Sequence, residues 1–359
     1  MNLHAEELIR TAAAVGASDL HLVYGLPVKC RIDGRLRDLS DHSGDPEGVR
    51  WSEERLDDEA LNRIARELAG DAYDGIRKNG ELDLSATIGG RRIRGNLFCQ
   101  QGHLSAAIRL LSSSIPDLKA LNLPPAVREF SSYNKGIVLV TGETGSGKST
   151  TLAAILNEIN KSREEHIITL EDPIEYIYTP DKCVINQREI GKDTVSYAAG
   201  LKAALREDPD VILIGELRDA ETIDTALTAA ETGHLVFATL HTNSAVDSID
   251  RIVSVFPADR QAQVRLQLSA VLRAVLSQQL LPRCDGNGRV AACECMIVVP
   301  ALQNLIREGK THQMSSYMTA ATGSILMDNC LTDMVMNRII DRKTALNAAF
   351  DREKLEKKI

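Results

Sequence analysis

Aromatic residues are scarce: one tryptophan, five phenylalanines and seven tyrosines make up 4% of the 359-residue chain. A core of this composition has to rest on Leu, Ile, Val and Ala. Long apolar runs are missing too, and no stretch reaches the ~18 residues a membrane-spanning helix needs. Cysteine is sparse and odd in number, seven residues scattered along a large chain, which speaks against a disulfide framework. The N-terminal run Met1-Asn2-Leu3-His4-Ala5-Glu6-Glu7 has neither the basic region nor the apolar core of a signal peptide. Cytosolic residence is therefore expected. Basic charge does not predominate either: 42 Lys and Arg face 50 Asp and Glu, a formal −8. Nucleic-acid surfaces are generally basic, so no nucleic-acid partner is expected. What is present, 43% apolar and 26% charged residues, is an ordinary globular composition of two or three domains.

Against this plain background one stretch carries chemistry. Gly142-Glu143-Thr144-Gly145-Ser146-Gly147-Lys148-Ser149 follows the apolar run Ile137-Val138-Leu139-Val140 and precedes a helical pattern from Thr150 to Ile159. Strand, glycine loop, helix is the context of a phosphate-binding P-loop. The glycines let successive N–H groups turn towards one anion, helped by the positive end of the following helix. Lys148 reaches for the β- and γ-phosphates, and the Ser149 hydroxyl is placed for Mg²⁺. Gly142, Thr144, Gly145, Ser146, Gly147, Lys148, Ser149 and Thr150 are thus the expected binding residues for ATP.

Upstream of the loop, residues 5–15 read as an amphipathic helix, and Val28 to Leu39 as a hairpin about the turn Asp33-Gly34. Ser40 to Ser52, with Trp51, reads as a surface loop. Leu61, Ile64 and Leu68 mark a helix ended by Gly70, and three strands follow over 81–88, 91–100 and 104–111. Residues 1–111 are expected to form a small α+β domain and 112–125 a proline-bearing linker. From 126 to 359, short apolar runs at 137–141, 166–170, 211–214 and 235–240 alternate with helical patterns, which suits a parallel sheet buried on both faces. Val264, Leu268, Val271, Leu272 and Val275 share one face of a long helix that Pro282 would close. Residues 290–299 read as a strand, and the rest as helical.

Three clusters fall at expected strand ends, where open α/β sheets carry ligands. In Glu171-Asp172-Pro173-Ile174-Glu175 a carboxylate could orient the water that attacks a γ-phosphate, or the acids could simply solvate a turn. In Asp208-Pro209-Asp210-Val211-Ile212-Leu213-Ile214-Gly215-Glu216, an apolar strand ends in an acid suited to support Mg²⁺, with Gly215 where an aspartate commonly stands. His234 and His241 lie at the two ends of one strand, too far apart to share a metal. His241 is the better placed to sense a γ-phosphate.

Together these boxes, with the run from Ala204-Leu205-Arg206-Glu207-Asp208 to Thr242, resemble the secretion ATPases of type II secretion and type IV pili, and most of all the pilus retraction ATPases. The resemblance extends to Ala17-Ser18-Asp19-Leu20-His21-Leu22, Arg31-Ile32-Asp33-Gly34-Arg35-Leu36 and Arg92-Ile93-Arg94-Gly95-Asn96. It implies an α/β fold in which a RecA-like P-loop ATPase domain follows a small PAS-like α+β domain, assembled as a homohexamer. It further implies Glu175 as catalytic base, Glu216 as support for Mg²⁺ and the attacking water, and His234 and His241 as relays of nucleotide state. Arg92, Arg94 and Arg109 match the arginines that approach the nucleotide, where a planar, permanently charged guanidinium suits a transferring phosphoryl group. Implied partners are the platform protein of the inner membrane, the pilus machinery and a second motor ATPase, with the ring peripheral at the inner face of the cytoplasmic membrane.

Extension ATPases of this superfamily carry a further N-terminal domain and a four-cysteine zinc site. Cys284, Cys293, Cys295 and Cys330 lack the paired spacing of structural zinc, so no zinc is expected and retraction is favoured. The run Ala301-Leu302-Gln303-Asn304-Leu305-Ile306-Arg307-Glu308 resembles a helix motif of retraction ATPases, with Gln303 replacing an arginine. That departure keeps an accessory retraction ATPase, or a ring subunit of low intrinsic activity, as an alternative. A type II or type IV secretion ATPase is another, and a DNA-translocating relative, opposed by the acidic balance, is the last.

Overall fold

The computed structural model describes residues 3–32, 34–42, 55–111, 114–286 and 288–359. Most of the loop expected over 40–52, including Trp51, and the turn residue Asp33 lie outside them. The chain divides into two compact units, one of Met1–Ser114 with Pro173–Ile177, the other of Ile115–Asp172 with Tyr178–Ile359.

The first unit contains α1 (Ala5–Ala14), β1 (Asp19–Leu22), β2 (Lys29–Ile32), β3 (Arg35–Asp38), α2 (Asp58–Ala69), α3 (Tyr73–Asn79), β4 (Glu81–Ile88), β5 (Arg91–Gln100) and β6 (His103–Leu110). Its strands form one antiparallel sheet in the order β3-β2-β1-β6-β5-β4. Alternation sorts the faces. Leu20, Leu22, Ile93, Leu97 and Ile108 are buried with Leu8, Ile9, Leu61 and Ile64 of the helices. The other face presents Asp19, Arg92, Arg94 and Arg109. Asp57 caps α2 by accepting from the Ala60 N–H at 2.8 Å, and Gly70 follows its last turn.

In the second unit the expected strands are β7 (Gly136–Thr141), β8 (His166–Glu171), β10 (Val211–Ile214) and β11 (Leu235–Leu240). With β9 (Val184–Glu189), β12 (Leu272–Pro282) and β13 (Arg289–Ile297) they build a seven-stranded sheet ordered β13-β12-β7-β11-β10-β8-β9. All neighbours are parallel except β13 on β12. The helices are α4 (Lys148–Ser162), α5 (Tyr197–Ala204), α6 (Ala220–Glu231), α7 (Ala245–Ser254), α8 (Ala258–Val271), α9 (Pro300–Glu308), α10 (Met327–Met336), α11 (Arg342–Ala348) and α12 (Arg352–Glu356). Every residue of β7, β10 and β11 is buried, as a parallel strand covered on both faces must be.

One expectation is corrected. The long helix read through Val275 stops at Val271, and Leu272 begins β12, which pairs with β7 from Leu272↔Ile137 to Ser277↔Thr141. Two-sided burial makes a strand a continuous apolar run, and such a run is also compatible with a helix face. Ile115 onward groups with the second unit, and a 3-10 turn at Leu118–Leu121 buries Leu118. On α9, Leu302, Leu305 and Ile306 are buried as the apolar stripe predicts. Among the described residues, no helix is long and apolar enough to cross a membrane.

Candidate active site

The sheet order decides which motifs meet. β7, β11, β10 and β8 are consecutive and parallel, so their C-terminal ends share one edge. That edge carries the loop after Thr141, His241 after Leu240, Gly215-Glu216 after Ile214, and Glu171-Asp172 at the end of β8. His234 lies at the opposite edge, roughly 20 Å away along β11. There its Nδ1 bonds the Ala229 carbonyl at 2.8 Å and the Thr232 hydroxyl at 3.2 Å, closing the C-terminal turn of α6. The structure therefore separates the two histidines.

The glycine loop is held from below. Gly142 has φ +140°, and a Cβ there would stand 2.3 Å from the Gln278 carbonyl oxygen and 2.6 Å from Ser146 Oγ. Only glycine fits a backbone this crowded. The Lys148 ammonium is buried and donates to the carbonyls of Gly142 at 2.6 Å and Glu143 at 2.9 Å. It is thereby folded over the loop that Gly145, Ser146 and Gly147 complete, while Thr144 and Ser149 are exposed. α4 starts at Lys148, so its positive end faces the loop. Beneath, the Thr141 and Ser277 hydroxyls bond at 2.8 Å across β7 and β12, and Gln278 Nε2 donates to Thr151 Oγ1 at 3.0 Å. A cavity of about 190 Å³ opens beside the loop, and its lining includes Ser146, Gly147, Thr150, Gln278 and Leu280 together with Ala120–Leu123, Arg283, Arg289 and Val290.

Glu216 is the organised carboxylate of this edge. It accepts from Arg218 at 2.7 Å, and His241 Nε2 lies 3.4 Å away. Burial alone would push its pKa up, but the Arg218 hydrogen bond and the two neighbouring charges outweigh that and hold it below the ordinary glutamate value. Gly215 explains itself by contact. A Cβ at 215 would come within 2.7 Å of the Tyr197 hydroxyl and 3.1 Å of the Leu170 carbonyl, so the larger aspartate side chain has no room. Thr239 Oγ1 donates to the Gly215 carbonyl, tying β11 to the Glu216 turn. Burial and the neighbouring Asp172 raise the Tyr197 phenol's pKa. Glu171 accepts from Thr169 Oγ1 at 2.6 Å and Gln187 Nε2 at 3.2 Å, which anchors it as a strut of β8 and β9.

The remaining candidates belong to the first unit. Glu175, half-buried, lies in Pro173–Ile177, which groups there. Arg92 Nε donates to the Ile174 carbonyl at 2.9 Å, one residue from Glu175. Arg94 and Arg109 are directly opposed on β5 and β6, and Asp19 opposes Arg109 on β1. Arg109 Nε donates to Asp19 at 2.9 Å. Burial works against ionisation of Asp19, yet the Ser18 hydroxyl and Arg109 bring its pKa below the usual value. Arg94 is exposed.

Sequence reasoning did not find Gln278, Tyr197, Arg218, Thr239 or Thr151. Only Gln278 carried a usable signal, a polar side chain inside an apolar stretch. Cys293 and Cys295 are buried on β13, where burial raises both thiols, Cys295 to about 12. Among the described residues no group of three or more His, Cys, Asp and Glu side chains is arranged to hold a metal.

Comparison with known proteins agrees with this geometry. A family model described as "Type II/IV secretion system protein" matches residues 98–348. The type IV pilus retractation ATPase PilT of Pseudomonas aeruginosa is 44% identical over 349 residues, 96% of this chain and 97% of that protein. The twitching motility protein of Neisseria gonorrhoeae is 48% identical over 282 residues, 78% of this chain and 75% of that protein. A crystal structure of the pilus retraction motor PilT with bound ADP superposes with a TM-score of 0.90 at 45% identity, covering 99% of this chain and 100% of that one.

Proposed function

This chain belongs to the type II/IV secretion system protein family and is an ATPase of the pilus-retraction type, and we propose that it works as a cytoplasmic homohexameric motor driving pilus disassembly. The observation that carries this reading is the shared sheet edge, which sets the P-loop, Glu216 and His241 at the ends of neighbouring strands. The loop's N–H groups and the start of α4 bind the phosphate chain. A phosphate offers Lys148 charged acceptors in place of the two carbonyls it now bonds, so the ammonium swings to the β- and γ-phosphates. Glu175 orients the attacking water and takes its proton. In the assembled ring Arg92, Arg94 and Arg109 supply guanidinium charge to the phosphoryl group in transfer.

The donor set suits Mg²⁺: the exposed Ser149 hydroxyl at the start of α4, and Glu216, kept ionised by Arg218 and His241. Mg²⁺ bound there would neutralise charge on the β- and γ-oxygens. His241, within 3.4 Å of Glu216, then reports changes at that carboxylate to the segment leading into α7. The ring would act on a platform protein at the inner face of the cytoplasmic membrane, alongside the pilus machinery and a second motor.

Purified wild type should hydrolyse ATP, Lys148→Ala should lose nucleotide binding, and Glu175→Gln should bind ATP while losing at least about 100-fold in turnover. In cells lacking the chain, wild type should restore pilus retraction and Lys148→Ala should not. Turnover of wild-type magnitude in Glu175→Gln would remove Glu175 from its role, and failure of wild type to restore retraction would refute the motor.

A further inference from the structure

The run Ala17-Ser18-Asp19-Leu20-His21-Leu22 sets a carboxylate among arginines. Alternation along β1 sends Leu20 and Leu22 into the core and Asp19 to the opposite face of the first sheet. There one row crosses four strands: Arg31 on β2, Asp19 on β1, Arg109 on β6 and Arg94 on β5. Like charges placed directly opposite one another repel, and Asp19 is the only acid of these four. Its carboxylate is fixed at both oxygens. Oδ2 accepts from the Ser18 hydroxyl at 2.8 Å, and Oδ1 accepts from Arg109 Nε at 2.9 Å. The backbone beside it is stapled on either side, with the Ser18 N–H donating to the Arg31 carbonyl at 2.8 Å and the Leu110 N–H to the Ser18 carbonyl at 2.9 Å. Arg31 turns away and donates through Nη1 to the Gly34 carbonyl at 2.9 Å. Among the described residues, Asp19 therefore serves Arg109 alone of the three arginines.

The way Arg109 is held decides what it can still do. The Asp19 side chain is 15% exposed and that of Arg109 67%, so the anchor is sheltered and the guanidinium is not. Asp19 takes Nε only. Among the described residues, the two terminal nitrogens of Arg109 have no partner. Those two donors form the fork that fits a pair of phosphate oxygens. We infer that Asp19 is a positioning residue for phosphoryl transfer, holding Arg109 by Nε so that its terminal nitrogens are presented together to the phosphate chain. Two effects of the carboxylate oppose each other. Its charge weakens the pull of the row on an anion, while its hold on Nε removes rotamer freedom that Arg109 would otherwise lose on binding. Arg109 stands in solvent, so the first effect is screened and the second prevails.

This inference rests on the reading of Arg109 as an arginine that reaches the nucleotide in the ring, and a double-mutant cycle tests the two apart. ATP turnover of the full chain is measured for wild type, Asp19→Ala, Arg109→Ala and the double variant, with light scattering to follow assembly. Asp19→Ala should lose roughly two- to tenfold in kcat, with KM for ATP little changed because the P-loop is intact. Asp19→Asn, which keeps one acceptor oxygen, should lose less. In the Arg109→Ala background Asp19→Ala should cost nothing further, since a residue that acts through Arg109 then has nothing to act on. A merely structural role would lower turnover by the same factor in both backgrounds. That equal factor, or undiminished turnover in Asp19→Ala, overturns the inference. Should Asp19→Ala not fold or assemble, Asp19→Asn is carried through the same cycle and must show its loss only where Arg109 is present. Full turnover in Arg109→Ala would instead overturn the role of Arg109, and absence of turnover in wild type would overturn the ATPase reading.

Discussion

At position 215 the backbone of the Glu216 turn passes so close to Tyr197 and Leu170 that a hydrogen atom is all the site accommodates. Gly215→Ala should therefore destabilise the second unit by roughly 1–3 kcal/mol, the usual cost of overpacking. Gly215→Ala with Tyr197→Phe should recover part of that loss, since the shorter of the two contacts is with the phenol oxygen. Urea midpoints decide it, and an unshifted midpoint in the single variant would show that the turn yields freely. Single residues with a fixed motif position were legible in the sequence: Lys148 from the glycine pattern, Glu216 from the apolar strand before it. Tyr197 and Arg218 were not. They act through a rigid ring beneath a turn and through a side chain two residues along, and neither relation has a period or spacing to read. His234 was legible as lying at the opposite end of its strand from His241; its bond to the Ala229 carbonyl at the end of α6 was not.

Strands and helices with clean patterns were readable, and the misreading has a definite cause. Val264, Leu268, Val271 and Val275 recur at helical intervals, yet the chain leaves the helix at Leu272 because β7 offers a parallel partner there and β12 from Ala274 to Gln278 is buried on both faces. Tertiary pairing outweighs local period when both are apolar. β13 supplies another consequence at this scale. Its Glu294 is 3% exposed, and its carboxylate accepts from the Ala245 N–H at 2.8 Å and the Met327 N–H at 3.3 Å, the first residues of α7 and α10. Burial raises its pKa, opposed by these two bonds. One side chain thus holds the positive ends of two helices. Glu294→Ala leaves both N–H groups buried and unpaired, which should cost about 2–4 kcal/mol. Amide exchange should quicken first at the N-terminal turns of α7 and α10, and if those turns stay as protected as in wild type the carboxylate is not what holds them.

For the molecule as a whole, the motor reading demands a ring. Light scattering with ADP present should give six times the chain mass, and a species that stays monomeric at micromolar concentration would exclude the proposed assembly. A division into a small first domain and a P-loop domain was foreseeable from the turn chemistry around 112–125 and the change from alternating to continuous apolar runs. The inclusion of Pro173–Ile177 in the first unit was not, because five residues with no period of their own leave no trace of their neighbours. The order of the sheet also bears on how the protein is made. β7, uncharged and buried at every position, has β11 and β12 as its partners, and β12 is not completed until Pro282. At roughly 5–20 residues per second, translation from Thr141 to Pro282 keeps the strand waiting for its second partner for on the order of ten seconds. During that interval the nascent chain presents a charge-free segment, Gly136–Thr141, of the kind that pairs with other exposed strands. A message broken before codon 272 would yield a product marked for aggregation.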